Sequence, residues 1–261
     1  MKKKITKPTE IKKTPEPKKE QKGKLYNIAA KKHHLTVEPQ EPILIDKKKN
    51  KYIHPKLYLL NLDGFLNDEP SLYKILDELR MINPSLDTLR IYISSNGGYV
   101  TECQQFINTL QDLEKVFERE NRLDKISVTI TSHASSAGAF TFISLKTFTF
   151  ISLKNRYIYP NSRIMFHHSS GGAVGKMSDM INRVKFSKKH LDKFLGIAQK
   201  YFTKKEWKRL NHGKDFWLDS EDMLKRGICT GIIIDGLQYD NKKGIKKLKK
   251  YYKKQDTYFK G

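Results

Sequence analysis

The sequence predicts an α/β fold in which parallel strands alternate with helices and a site sits at the strand-to-helix junctions. Three observations predict it. Short apolar runs rich in β-formers, at 57–60, 89–93, 126–130 and 228–234, alternate with stretches whose apolar residues recur at helical spacing. Two strands run directly into small-residue turns, Ser94-Ser95-Asn96-Gly97-Gly98 and Ser135-Ser136-Ala137-Gly138-Ala139. A long amphipathic stretch then follows, from Met177 to Phe202. Repeated β-α units in this order favour a parallel sheet, whose ligands gather beyond the carboxyl ends of its strands.

Taken in order, Leu57-Tyr58-Leu59-Leu60 is a short apolar strand, and Leu72, Ile75, Leu76 and Leu79 mark a helix within 69–82. Leu89-Arg90-Ile91-Tyr92-Ile93 is a strand that ends at the first glycine turn. Cys103, Phe106, Ile107, Leu110 and Leu113 give the next helix one apolar face. Ile126 to Ile130 alternates as a strand and leads through Ser132-His133-Ala134 into the second small-residue turn. Arg163 to His167 is another strand. From Met177 to Phe202 the apolar positions 177, 181, 184, 191, 195, 198 and 202 share a helical face about seven turns long, interrupted by Lys188. Ile228–Ile234 closes the series as a strand bounded by Gly227 and Gly236. Thr141-Phe-Ile-Ser-Leu-Lys146 recurs as Thr149-Phe-Ile-Ser-Leu-Lys154, a tandem duplication too short for a solenoid unit.

Charge divides the chain into three parts. Residues 1–52 carry 16 Lys against 6 acids, and 239–261 carry 9 Lys against 2 Asp. Together they supply 17 of the 23 net positive charges, so the basic character belongs to the ends and not to the middle, 53–238. Both ends read as solvated, disordered Lys-rich extensions, with electrostatic binding to nucleic acid or an acidic partner as the other reading. Ile43-Leu44-Ile45 is the one apolar piece of the first extension that is expected to dock on the core. The N-terminal segment has no apolar run long enough for a signal peptide or a membrane span. Cys103 and Cys229 stand apart in apolar contexts without metal-ligand spacing, which favours buried thiols over a disulfide or a zinc site and fits a cytoplasmic location.

Chemistry is expected at the two turns. Small residues allow a sharp bend and leave N–H groups facing a ligand, as an oxyanion hole requires. A serine there can be a nucleophile held at a helix start, or simply an N-cap. His167 or His168, at a strand end, can act as a base or be structural. Asp215 can orient such a base or be a turn residue.

Order and context carry more than any one residue. Ser94-Ser95-Asn96-Gly97-Gly98 resembles the Asn-Ser-Pro-Gly-Gly turn of the Clp protease proteolytic subunit family. Ala134-Ser135-Ser136-Ala137-Gly138-Ala139 resembles that family's Ala-Ala-Ser-Met-Gly-Ala nucleophile segment. Tyr159-Pro160-Asn161-Ser162-Arg163-Ile164-Met165-Phe166-His167 is similar to its Leu-Pro-Asn-Ser-Arg-Val-Met-Ile-His, with Gly171-Gly172 following. The segment from Asp215 to Ile228 is similar to the one that opens on the family's catalytic aspartate. The resemblance covers about residues 56–236. It implies a serine endopeptidase of crotonase-like fold with a triad of Ser136, His167 and Asp215, oxyanion donors at the backbone N–H groups of Gly98 and Ala137, and no metal or cofactor. It also implies polypeptide substrates, a homo-oligomer of stacked rings in which the 177–202 helix stands between rings, and an AAA+ ATPase that feeds it. Ser135 falls one residue early in the motif. His168 is set aside because consecutive side chains of a strand point to opposite faces. Ser136 and His167 lie farther apart than in the family, and the excess falls on the duplicated stretch.

Three other readings remain open on the sequence. The Lys/Ile/Asn-rich composition suggests an AT-rich genome, and a phage-encoded enzyme that trims capsid proteins in the host cytoplasm fits it. Acyl-CoA chemistry of the crotonase type would use the paired N–H groups without a Ser/His/Asp set. A non-catalytic ring subunit would use its basic tails to bind nucleic acid or an acidic partner.

Overall fold

The apolar runs of the middle of the chain pair with one another as parallel strands, and helices pack against the sheet they form. A computed structural model describes residues 33–46, 51–66, 70–144, 155–168 and 175–258. The first part holds β1 (His33–Pro39), β2 (Ile43–Asp46), β3 (Lys51–Ile53), β4 (Lys56–Leu66), α1 (Pro70–Arg80), β5 (Thr88–Gly98) and α2 (Val100–Arg119). The centre holds β6 (Ile126–Ser135), α3 (Ala137–Ser144), β7 (Arg156–Ile158), β8 (Arg163–Phe166) and α4 (Met177–Ala198). The last part holds α5 (Lys204–Asn211), β9 (Phe216–Leu218), α6 (Ser220–Lys225), β10 (Gly231–Ile234), β11 (Leu237–Asp240) and α7 (Asn241–Tyr258).

The main sheet runs in the order β1-β4-β5-β6-β7-β10-β11, and β8 pairs with both β6 and β9 beside it. Pairing is parallel from β4 through β5, β6 and β7 to β10, as the β-α alternation predicts. Ile91, Ile93, Val128, Ile130, Ile158 and Ile232 are fully buried along these strands. In β5 the buried positions alternate with partly or fully exposed ones, the period of a strand with one face on the core, while β6 is buried at three successive positions, Val128, Thr129 and Ile130. The matching helix stripes are buried too, with Ile75, Leu76 and Leu79 on α1 and Phe106, Leu110 and Phe117 on α2. Apolar transfer at about 25 cal/mol per Å2 makes this core the main source of stability.

Three antiparallel additions depart from the predicted parallel pattern. β1 pairs along β4, β9 pairs with β8, and β10 turns back into β11. The last turn is Asp235-Gly236, both residues at positive φ, the two-residue loop whose twist suits a hairpin.

The Lys-rich ends need two corrections. Residues 1–32 and 47–50 lie outside the described residues, but the sheet already starts at His33, inside the expected N-terminal extension. Leu35 of β1 is fully buried. Ile43, Leu44 and Ile45, expected to dock on the core, instead form a two-stranded ribbon with β3 and remain 50%, 43% and 49% exposed. β1 has already covered that edge of the sheet, leaving them no core to join. The C-terminal segment, expected to be a disordered extension, is helical from Asn241 to Tyr258. Its apolar side packs down: Leu248 is buried, Gly244 lies against Ile232, and the Tyr252 hydroxyl donates to the Pro160 carbonyl. Asp240 accepts from the Lys243 N–H at 2.9 Å and caps the helix.

Candidate active site

β6 ends at Ser135 and α3 begins at Ala137, so a single residue, Ser136, makes the whole turn between strand and helix. Its φ is +51°. The left-handed region costs a residue with a Cβ roughly 1–2 kcal/mol, and such strain persists only where the surroundings impose it. Here they do. The Ser136 N–H donates to the Met165 carbonyl at 3.0 Å, and its own carbonyl accepts from the Phe140 N–H at 3.1 Å. Ser136 is half-buried, whereas its neighbour Ser135 is buried in β6.

The first glycine turn packs directly on this bend. A Cβ on Gly97 would stand 2.7 Å from the Ser136 Cβ and 3.3 Å from the Ala137 nitrogen, and Gly97 itself has a φ of +107°. Only glycine allows that approach. Ser95 lies below: its Oγ accepts from the Gly97 N–H at 3.1 Å, and a Cβ on Gly138 would meet the Ser95 Cβ at 3.0 Å. Asn96 and His133 tie the two turns together from the exposed side, Oδ1 to Nε2 at 2.8 Å. Gly98 closes β5, and Ala137, as the first residue of α3, has an N–H without an intrahelical acceptor.

β8 and β9 bring the other two predicted residues to this end of the sheet. β8 is parallel to β6 with Met165 opposite Ser135, and antiparallel to β9 with Phe166 opposite Phe216. His167 follows the last residue of β8 and Asp215 precedes the first residue of β9, so each adjoins one member of the Phe166–Phe216 pair. The strand stops at Phe166, so His167 and His168 lie just past it rather than on it. His168 is turned to α5, its Nε2 lying 3.4 Å from the Asn211 Oδ1. His167 is half-buried and Asp215 is exposed. Among the described residues no hydrogen bond joins the side chains of Ser136, His167 and Asp215 to one another.

Aromatic rings that sequence reasoning passed over fix these strands. Phe166 meets Phe202 edge-on at 5.3 Å, Phe202 meets Phe216 at 5.3 Å, and Phe140 of α3 meets Phe166 at 5.9 Å. One cluster therefore joins the residues flanking Ser136, His167 and Asp215. Its trace in the sequence is that Phe166 and Phe216 each adjoin a predicted site residue. Behind the turn, Cys103 is a buried thiol whose Sγ donates to the Ala137 carbonyl at 3.2 Å. Burial pushes this thiol up to about 12, so it is inert as a nucleophile. Cys229 is also buried. The duplicated stretch enters the structure only through Thr141–Ser144, the end of α3; residues 145–154 lie outside the described residues, as do Gly171 and Gly172. Among the described residues, no group of three or more His, Cys, Asp and Glu is placed to hold a metal ion, and no helix is long and apolar enough to cross a membrane.

A mostly parallel sheet with a strained serine between strand and helix, packed on a glycine turn, places the chain among α/β proteins with a sharp strand-to-helix turn at the sheet's carboxyl edge. The model of the Clp protease family matches residues 68–235, and the chain belongs to that family. It is similar to the ATP-dependent Clp protease proteolytic subunit 2 of Pseudomonas aeruginosa, with 23% identity over 171 residues that cover 64% of this chain and 77% of the relative. The matched span includes Gly97, Ser136, His167 and Asp215. It stops before β11 and α7.

Proposed function

We propose that this chain is a serine endopeptidase acting through an acyl-enzyme, with Ser136 as nucleophile, His167 as general base and Asp215 as its orienting acid. The observation that carries the reading is the left-handed turn at Ser136. It is pinned to Met165, two residues before His167, on a strand that pairs with β9 as far as Phe216, the residue after Asp215. In the mechanism, His167 takes the Ser136 proton as Oγ attacks the peptide carbonyl. The Gly98 and Ala137 N–H groups receive the charge that develops on the carbonyl oxygen. His167 then protonates the leaving amine, and water, deprotonated by His167, releases the acid from the ester. Asp215 holds the imidazole tautomer and balances the imidazolium. The catalytic unit spans 53–238, with β1 and α7 packed on its flanks.

Polypeptides are the substrates in this reading, and the working form is a ring oligomer. The name of the Pseudomonas aeruginosa relative as an ATP-dependent proteolytic subunit supports an AAA+ partner that delivers unfolded chain. The test is labelling of the assembled protein with a fluorophosphonate. Labelling at Ser136 is expected, absent in Ser136→Ala, strongly reduced in His167→Ala and largely kept in His168→Ala. No labelling in a correctly assembled oligomer overturns the reading, and loss in His168→Ala instead of His167→Ala overturns the assignment of the base.

A further inference from the structure

A strongly charged surface of the described structure lies on α7. The helix carries eight Lys, at 242, 243, 246, 247, 249, 250, 253 and 254, with no Arg and Asp256 as its one acid. At about 3.6 residues per turn these eight fall within roughly 160° of the helix circumference and along about 18 Å of its length. All eight are exposed. The remaining arc holds Gly244, Ile245, Leu248, Tyr251 and Tyr252, and it is spent on the fold. Leu248 is buried, Ile245, Tyr251 and Tyr252 pack against the core, and Asn241 donates to the Leu224 and Cys229 carbonyls. The lysines are therefore held in one array by a docked helix. Lys249 reaches Glu221 at 3.7 Å and Lys247 stands over the Tyr239 ring, both at the margins of the array.

We infer that the exposed face of α7 binds the phosphate backbone of nucleic acid, without regard to base sequence. Charge complementarity selects this occupant. One sign of charge, repeated at helical spacing over several turns, matches a polymer with regularly spaced anionic groups. Lysines alone, without the planar fork of Arg, act as point charges that contact phosphate and do not read base edges. A lipid surface would need an apolar face beside the basic one, and the apolar face of α7 is committed to the core. The span that matches the Clp protease family stops at residue 235, before α7, so the array is separate from the matched peptidase unit.

The experiment measures binding of the full chain to a fluorescent DNA duplex of about 30 base pairs by anisotropy, over a salt series, in parallel with a fourfold variant. The variant is Lys242→Gln, Lys243→Gln, Lys246→Gln and Lys250→Gln, which keeps helix-forming residues on the outer face and leaves the core-facing residues alone. If about four phosphates are engaged, log affinity falls with log salt at a slope of about −3.6, or on the order of a hundredfold between about 50 and 200 mM. The variant is expected to weaken binding at least tenfold and to flatten the slope, while the same four positions changed to Arg retain binding. Retained α7 signal in hydrogen exchange and unchanged peptide hydrolysis separate this loss from misfolding. Unchanged affinity and slope in the Gln variant overturn the assignment to α7. Equal or tighter binding to poly-glutamate, or to phosphatidylserine vesicles, overturns the choice of nucleic acid.

Discussion

At the scale of single residues, the structure places strain and charge where ordinary folding would avoid both. Ser136 adopts a left-handed backbone that glycine would take at no cost, and Gly97 is fitted so closely against it that no side chain can enter. A side chain in that arrangement is useful for being presented, since Ser136 sits on the bend while Ser135 is lost in the strand. Glu114 of α2 is a second departure. It is 4% exposed, and among the described residues its Oε1 has no hydrogen-bond partner. Burial first, and then repulsion from Glu118, push its carboxyl up to about 8, while Arg156 on β7, also buried, pulls the other way. A carboxyl raised in the folded state stabilises the fold through its protonated form. That contribution is complete below the ordinary carboxylate range near 4.5 and is lost as the pH rises towards 8. Glu114→Gln, which keeps the shape without the charge, is therefore expected to leave stability near pH 5 almost unchanged. At pH 8.5 it should stabilise the protein by more than about 1 kcal/mol, read from denaturant melts at both pH values. Equal effects at the two pH values would mean that Glu114 stays ionised in the folded protein.

At the scale of elements, the strand that follows Asp215 is short and relies on its neighbours. β9 has three residues and lies between α5 and α6. Arg226, just after α6, bridges back to Glu206 of α5 through two bonds of 2.9 and 3.0 Å, and it donates also to the Tyr201 carbonyl at 3.0 Å. Glu206 completes a capping box with Thr203, and these contacts, the Arg226 bond foremost, hold its carboxyl down to about 2. The pair closes the loop that carries β9. Arg226→Ala should cost about 2 kcal/mol of stability and lower peptide hydrolysis several-fold well below the melting temperature, with Arg226→Lys intermediate in both. A stability loss with full activity would show that Asp215 is placed without this clamp. Elements also differ in how plainly the sequence announces them. The parallel strands, α1 and α2 follow from periodic burial, because one side chain in two or in three to four meets the core. The four site motifs follow from residue order. β9 and β11 do not, since three or four residues define no period; the Asp235-Gly236 pair was the available signal for the second. α7 was hidden by its lysines: Ile245, Leu248, Tyr251 and Tyr252 have helical spacing, but the charge run reads as tail until a core is there to receive it. The Glu206–Arg226 clamp joins residues whose partnership depends on how two helices pack, which no local pattern encodes.

At the scale of the whole molecule, α4 is the element of the described residues that carries several exposed apolar side chains along one helix. The last turns of this helix are held, with Leu195 and Ala198 buried, but its first half stands free of the chain's own core. Met177, Ile181 and Val184 lie on one helical stripe there and are 69%, 46% and 58% exposed. The sequence reading gives these residues one helical face with Leu195 and Ala198, and within one chain only the last turns of that face are buried. Helical periodicity tells which residues share a face; it does not tell whether the surface that covers them belongs to the same chain. A clustered apolar stripe in water is unfavourable, and a second copy offering the same stripe across a symmetry axis covers both at once. This is the element that would join rings in the proposed assembly, and its junction with Ala198 leads through Tyr201 and Phe202 into the aromatic cluster beneath His167. In that assembly, interface and site would be coupled through α4 and the turn that follows it. Ile181→Glu together with Val184→Glu should reduce the mass in solution, measured by light scattering after size exclusion. Peptide hydrolysis should fall at least tenfold, while the melting profile of the individual chain is little changed because neither side chain contributes to its core. Unchanged mass would remove α4 from the interface. Reduced mass with full peptide hydrolysis would show that the site forms in the separated unit, and that the ring serves only to enclose it.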